Sequence, residues 1–207
     1  SGVLRADFKS VDFNNGSIVA GDAYGGLTLW SYTSKKAEFK ATTRTNSSSN
    51  KDDEVKQVTL FANGSRCAQL NSNPNRIVVH SVGNTTLTKQ FEQAVDFVHF
   101  AISNESQRLY SVSGNKLQIW NITSSGISLL FTNTTNDSTL YRGVDASPDG
   151  KYVAAGSRDK LVLFNVTAID KLDYLNVANQ LKSTENYFNV KFLPNDTHLV
   201  TTNGQYL

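Results

Sequence analysis

The sequence predicts an all-β chain of repeated four-stranded antiparallel units, and three observations carry that prediction. Apolar residues occupy every second position over successive short runs, the pattern of strands with one buried face. The ends of equivalent runs recur at near-equal steps. Trp30 closes Leu27-Thr28-Leu29-Trp30, and Ile77-Val78-Val79-His80 takes the same place. Trp120 then closes Leu117-Gln118-Ile119-Trp120, and Phe164 closes Leu161-Val162-Leu163-Phe164. These steps are 50, 40 and 44 residues, near the roughly 40–45 of one four-stranded repeat. Finally, residues that tolerate positive φ separate the runs, as hairpins require: Asn14-Asn15-Gly16, Gly25-Gly26, Asn63-Gly64, Gly114-Asn115 and Pro148-Asp149-Gly150.

Each period resolves into four strands. The first unit reads 8–13, 17–22, 26–32 and 37–42; the second reads 55–61, 66–70, 76–82 and 86–91. The third reads 95–100, 108–112, 116–121 and 127–132, and the fourth 141–146, 152–156, 161–165 and 172–177. A fifth opens at 188–192, continues at 198–202 and reaches Gln205-Tyr206-Leu207 inside its third strand. The polar stretches 43–54 and 132–138 read as loops between units. Residues 169–181 carry a weak helical spacing but fit a fourth strand and loop better. A single domain is expected, a β-propeller of about four and a half blades. Short strands at regular spacing also suit a sandwich, and the repeated aromatic at the third-strand end favours blades.

Composition limits the function classes. Hydrophobic residues make up 39% and charged residues 18%, enough for a packed core. A net charge of +2 gives no field that argues for nucleic acid or an anionic membrane. No apolar run approaches the ~18 residues of a membrane-spanning helix. The single cysteine, Cys67, alternates with polar neighbours and reads as core; it excludes an internal disulfide and a multi-cysteine zinc site. The absence of methionine and the Ser-Gly start lead to the expectation of a processed piece of something longer.

Ten Asn-X-Ser/Thr sequons stand at Asn15, Asn46, Asn63, Asn84, Asn104, Asn121, Asn133, Asn136, Asn165 and Asn195, where chance gives about four. Turns rich in Asn, Ser and Thr account for many of them, because these side chains bond to their own backbone. A cytoplasmic or nuclear location is the first expectation, and the secretory pathway the alternative that the sequons support.

The run from Val144 to Asn165 resembles a WD40 repeat. It holds a strand, the turn Ser147-Pro148-Asp149-Gly150, a strand ending Gly156-Ser157, a turn with Asp159, and a strand ending Phe164-Asn165. Gly21-Asp22 before Trp30-Ser31 and Ser113-Gly114 before Trp120-Asn121 keep the frame more loosely. No unit opens with Gly-His or ends in Trp-Asp, so the family's side-chain network does not carry over. Trp30, Trp120 and Phe164 are left as packing groups between blades, and Trp120 is expected to be buried.

The resemblance implies a non-enzymatic protein-interaction scaffold within a larger intracellular assembly. It places the second-to-third turns and the inter-blade loops on one rim. Candidate contacts there are Tyr24, Arg76, Asn115, Arg158, Asp159 and Lys160, with Tyr141 and Arg142 from an inter-blade segment. Partners would be other proteins, and an incomplete ring would be completed by the rest of its own propeller or by a partner strand.

Catalysis needs a positioned acid, base, nucleophile or metal. His80, His99 and His198 each lie within a different strand and read as satisfied sheet residues rather than a metal set. Asp22, Asp149, Asp159 and Asp196 flank turns, and Asp52-Asp53-Glu54 reads as a solvated segment. No phosphate-cradling glycine loop or nucleophile elbow exists, and no cofactor is called for. For nucleic acid, Arg142, Lys151, Arg158 and Lys160 would neutralise few phosphates, and Asp145, Asp149 and Asp159 offset them. Two rivals stand beside the scaffold and the nucleic-acid reading. One is a glycosylated propeller that binds a ligand or receptor. The other is an enzyme using a propeller's channel, marked by histidines or carboxylates at matching positions of several blades.

Overall fold

A computed structural model describes residues 7–33, 36–44, 53–104, 107–135, 140–157, 160–169, 173–176, 189–194 and 198–202. The first sheet holds β1 (Phe8–Asn14), β2 (Ser17–Asp22), β3 (Gly26–Thr33) and β4 (Lys36–Arg44). The second holds β5 (Val55–Phe61), β6 (Arg66–Asn71), β7 (Arg76–Val82) and β8 (Leu87–Ala94). The third holds β9 (His99–Ile102), β10 (Arg108–Ser113), β11 (Lys116–Ile122) and β12 (Ile127–Thr134). The fourth holds β13 (Tyr141–Ala146), β14 (Tyr152–Ser157), β15 (Leu161–Asn165) and β16 (Asp173–Asn176). A two-stranded sheet of β17 (Asn189–Phe192) and β18 (Leu199–Thr202) follows. All pairings are antiparallel, and each sheet takes its strands in chain order. This is the construction of propeller blades, without the strand exchange between sheets that a Greek-key sandwich needs.

Register confirms the repeat residue by residue. Trp30 lies opposite Ile18, Trp120 opposite Leu109 and Phe164 opposite Val153, while His80 lies opposite Cys67. A register shift falls at the same place in three blades, between Leu29 and Trp30, Val79 and His80, and Ile119 and Trp120. Such bulges re-aim the side chains beside them. Burial of the repeated aromatic is uneven. Phe164 is 1% exposed, whereas Trp30 and, against expectation, Trp120 are only half-buried. Trp120 packs on Phe97 with centroids 5.9 Å apart, and its Nε1 donates to Ser111 Oγ at 2.8 Å. That bond satisfies the indole N–H on the buried side of the ring, since Ser111 is fully buried.

The chain divides into two compact units, residues 1–96 with 124–126, and residues 97–123 with 127–207. In the first, Val19 and Leu27 of the first sheet meet Val55, Val58, Leu60 and Cys67 of the second. Gly21 permits that approach, since a Cβ there would lie 2.7 Å from Val55 Cβ. In the second, Tyr110, Leu117 and Ile119 pack with Tyr141, Val153 and Phe164, and Ala154 and Leu161 pack with Val190 and Phe192. Cys67 is fully buried, and burial pushes its thiol pKa up, which suits a core residue.

The strand expectations depart furthest from the structure at two places. The third blade begins at His99 rather than Val95, because Phe97 and Phe100 are both buried and pack together, a spacing of three that a strand cannot place on one face. The last strand of the second blade starts at Leu87 and runs on to Ala94. The expected third strand of the fifth unit lies outside the described residues.

Candidate functional site

The Tyr141 N–H donates to Gly114 O at 2.9 Å, so an inter-blade segment meets a second-to-third turn. Asn115 is tied there too: Nδ2 donates to Thr135 O at 2.7 Å, and its carbonyl accepts the Thr135 N–H at 3.1 Å. Tyr24 is half-buried in an Asx turn, its N–H donating to Asp22 Oδ1 at 2.8 Å. Lys160 is half-buried with its N–H on Ser157 Oγ, and Arg142 is exposed. Arg158 and Asp159 lie outside the described residues. Tyr141 is 3% exposed and belongs to the core, so it offers little surface to a partner.

Arg76 is also inside, at 7% exposed, and is held by a buried polar network. Its Nη2 pairs with Asp53 Oδ1, and its Nε meets Glu92 Oε1 at 2.7 Å. Asn71 Nδ2 donates to Asp53 Oδ1 at 2.9 Å, and Gln69 Nε2 donates to Asn71 Oδ1 at 2.6 Å. The acidic, Ser/Asn-rich surroundings of Asp53 point to a solvated residue. It is 5% exposed because Arg76, distant in sequence, supplies the charge that lets it enter the fold.

His80 departs from the expectation of a satisfied sheet histidine. It is 1% exposed, and neither ring nitrogen has a partner, nor does the Gln69 Oε1 atom. The blade frame gives the reason. Ser111, which satisfies Trp120 in the third blade, is replaced by Gln69 in the second, by Ala20 in the first and by Ala155 in the fourth. Gln69 instead turns its amide toward Asn71. Burial drives the His80 pKa down to about 4, with Lys89 adding to the effect and Glu92 opposing it.

Carboxylates recur at one position of the innermost strands, which sequence inspection missed. Asp12 lies opposite Val19 in the first blade, and Asp145 lies opposite Ala154 in the fourth; Thr59 and Ala101 take that place in the second and third. Asp12 Oδ2 accepts the Leu60 N–H at 2.7 Å, and Asp145 Oδ2 accepts the Phe192 N–H at 2.7 Å. The only sequence signal was the blade alignment itself, which aligns these aspartates once the first strands are counted from their hairpins.

Asp145 differs in its second oxygen. Oδ1 accepts Lys191 Nζ at 3.1 Å; the lysine side chain is 74% exposed and that of Asp145 10%. Burial raises the Asp145 pKa above the ordinary carboxylate range, against the pull of Lys191 and the Phe192 N–H. A carboxylate with a raised pKa beside an exposed ammonium has the chemistry to take up a proton next to a positive charge. Elsewhere, in the first unit, a cavity of about 490 Å³ is lined by Asn15, Ser17, Trp30, Lys40, Ser65 and Asn84 among others. It offers amides, hydroxyls, an indole and one ammonium, which suit binding, and no carboxylate or imidazole. Among the described residues no cluster of His, Cys, Asp and Glu could hold a metal ion, and no helix is long and apolar enough to cross a membrane.

No protein-family model and no curated protein matches the chain. Solved structures do. A protein from Lactobacillus plantarum is 15% identical, with a TM-score of 0.71 over 94% of this chain and 63% of its own. A proposed 6-phosphogluconolactonase from Bacteroides uniformis is 12% identical, with a TM-score of 0.65 over 81% of this chain and 53% of its own. The chain therefore spans between half and two thirds of the structures it resembles. At these identities the likeness concerns the fold: it supports propeller blades and does not single out the WD40 repeat. Two expectations are corrected with it: a non-enzymatic scaffold and the absence of enzyme activity do not follow from this fold, since a proposed 6-phosphogluconolactonase shares it.

Proposed function

We propose that the chain is part of a β-propeller hydrolase that opens a sugar-derived lactone, with Asp145 and Lys191 as its reacting pair. The observation that carries this reading is the Asp145–Lys191 pair on inner strands, in a fold shared with a proposed 6-phosphogluconolactonase. The inner strands of a propeller border its central channel, where a ligand can be enclosed by several blades.

Lactone hydrolysis asks for two things. A base must remove a proton as water attacks the ring carbonyl, and positive charge must meet the oxyanion that forms. Asp145 serves as the base: its oxygens keep a lone pair beyond those used by Phe192, Lys191 and the Ala146 N–H, and its raised pKa brings it closer to the operating pH. Lys191, mostly exposed, faces the oxyanion or a substrate phosphate. Collapse of the tetrahedral intermediate breaks the ring C–O bond. The ring oxygen leaves with a proton returned by Asp145, giving the hydroxy acid.

The test follows 6-phosphogluconolactone and gluconolactone by NMR with purified protein, with Asp145→Asn and Lys191→Ala beside it. The expected result is hydrolysis well above the spontaneous rate, lost by at least ~100-fold in Asp145→Asn. Hydrolysis at the spontaneous rate for both lactones contradicts the proposal.

A further inference from the structure

Among the described residues, one face of the first sheet exposes side chains whose equivalents in the second, third and fourth sheets are buried or half-buried. The Ser10 and Asp12 side chains point toward the second sheet, so Val11 and Phe13, alternating with them, point away. Val11 is 67% exposed, Phe13 55% and Tyr32 42%, and the two rings meet edge to face with centroids 6.2 Å apart. At the register position of Val11 the other blades hold Val58, Phe100 and Val144, which are 4%, 0% and 9% exposed. At that of Phe13 they hold Leu60 at 3%, Ile102 at 9% and the half-buried Ala146.

The molecule also displays what covers such a face, and it does so twice. In the first unit Val19 and Leu27 pack against Val58 and Leu60, while Ser10 Oγ accepts the Val58 N–H at 3.0 Å and Asp12 Oδ2 the Leu60 N–H. In the second unit Ala154 and Leu161, the register equivalents of Val19 and Leu27, pack against Val190 and Phe192. Asp145 again accepts the N–H that follows. Two independent interfaces thus use one recipe: an apolar pair from the middle strands, and an acceptor on the first strand.

We propose that the Val11–Phe13–Tyr32 face is a docking surface for one further four-stranded antiparallel blade. Its middle strands bring aliphatic side chains to the places of Val19 and Leu27. Its first strand brings a hydroxyl or carboxylate to the places of Ser10 and Asp12, to accept the N–H groups of Val11 and Phe13. A second copy docking through the same face would set Phe13 and Tyr32 against themselves and bring no acceptor to those N–H groups. The solved structures with this fold are longer than the chain, which covers 63% and 53% of them, so each holds polypeptide beyond the part that matches.

The test places a thiol on the face and a blade beside it. Val11→Cys gives one accessible thiol, because Cys67 is fully buried. Its labelling by a maleimide is timed in the full chain, and in a chain carrying an extra copy of residues 7–54 ahead of Ser1 with Val11 kept in that copy. The expected result is rapid labelling of the first and at least tenfold slower labelling of the second, partly restored when the added copy carries Ser10→Ala and Asp12→Ala. Labelling unchanged by the added blade overturns the proposal, including when that blade stays unfolded, since the face has then failed to template it. Labelling that is slow in the chain alone and speeds up on dilution also overturns it, in favour of a second copy. Protection unaffected by the two alanines removes the hydrogen-bonding part.

Discussion

His80 is where a single residue controls most. Its place in the blade frame was legible, because the run Ile77-Val78-Val79-His80 ends where other units end in an aromatic. Its isolation was not, since that depends on Gln69 turning to Asn71. A histidine whose folded pKa is about 4, against 6.5 for the free side chain, binds fewer protons folded than unfolded between those values. Stability should therefore fall as the pH drops through that window, by up to about 3 kcal/mol from this residue, and be fully present above pH 6.5. Urea melts at pH 7 and pH 4.5 should show a smaller acid loss in His80→Leu than in the parent; equal losses would contradict the assignment. Asp53 and Arg76 teach the opposite lesson. Their composition suggested solvent, and only the fold reveals that each neutralises the other inside the second blade.

Strands were more legible than partners, because alternation is a local signal. β1, β5, β7, β13 and β15 begin at the expected residues. β9 does not, because a bend around Phe97 sets two buried aromatics three apart and breaks the period. Contacts between sheets were not legible, since they depend on which faces meet. Gly21 is one such contact: in sequence it reads as an ordinary strand-end glycine, yet in the fold it lets β2 approach Val55. Gly21→Ala should destabilise by about 1–3 kcal/mol through overpacking, and adding Val55→Ala should return part of that loss. Reversible denaturant melts of the two single variants and the double variant decide it; strictly additive losses would mean that the two sites do not press on each other.

At the scale of the molecule, repetition made the blades readable and concealed the function. A repeated frame places residues of unlike role at equivalent positions, and a sequence read for its repeats favours the packing positions. The rim candidates Tyr24, Arg76 and Tyr141 illustrate this, since two of them, Arg76 and Tyr141, are buried. The equivalence of the first-strand aspartates Asp12 and Asp145 is not legible in the sequence, since one acidic residue in an alternating strand looks like its solvent face. What separates Asp145 from Asp12 is Lys191, 46 residues away and reachable only through the fold.

The proposed chemistry rests on that carboxylate, so the pH dependence of lactone hydrolysis tests it most directly. A base must be ionised to act, and burial holds Asp145 above the ordinary carboxylate pKa. The account predicts that kcat/KM for 6-phosphogluconolactone rises with pH through an inflection above that ordinary range, and that Asp145→Asn abolishes the inflection along with most of the rate. A profile that merely tracks spontaneous, hydroxide-driven hydrolysis, or one that survives Asp145→Asn unchanged, would contradict it.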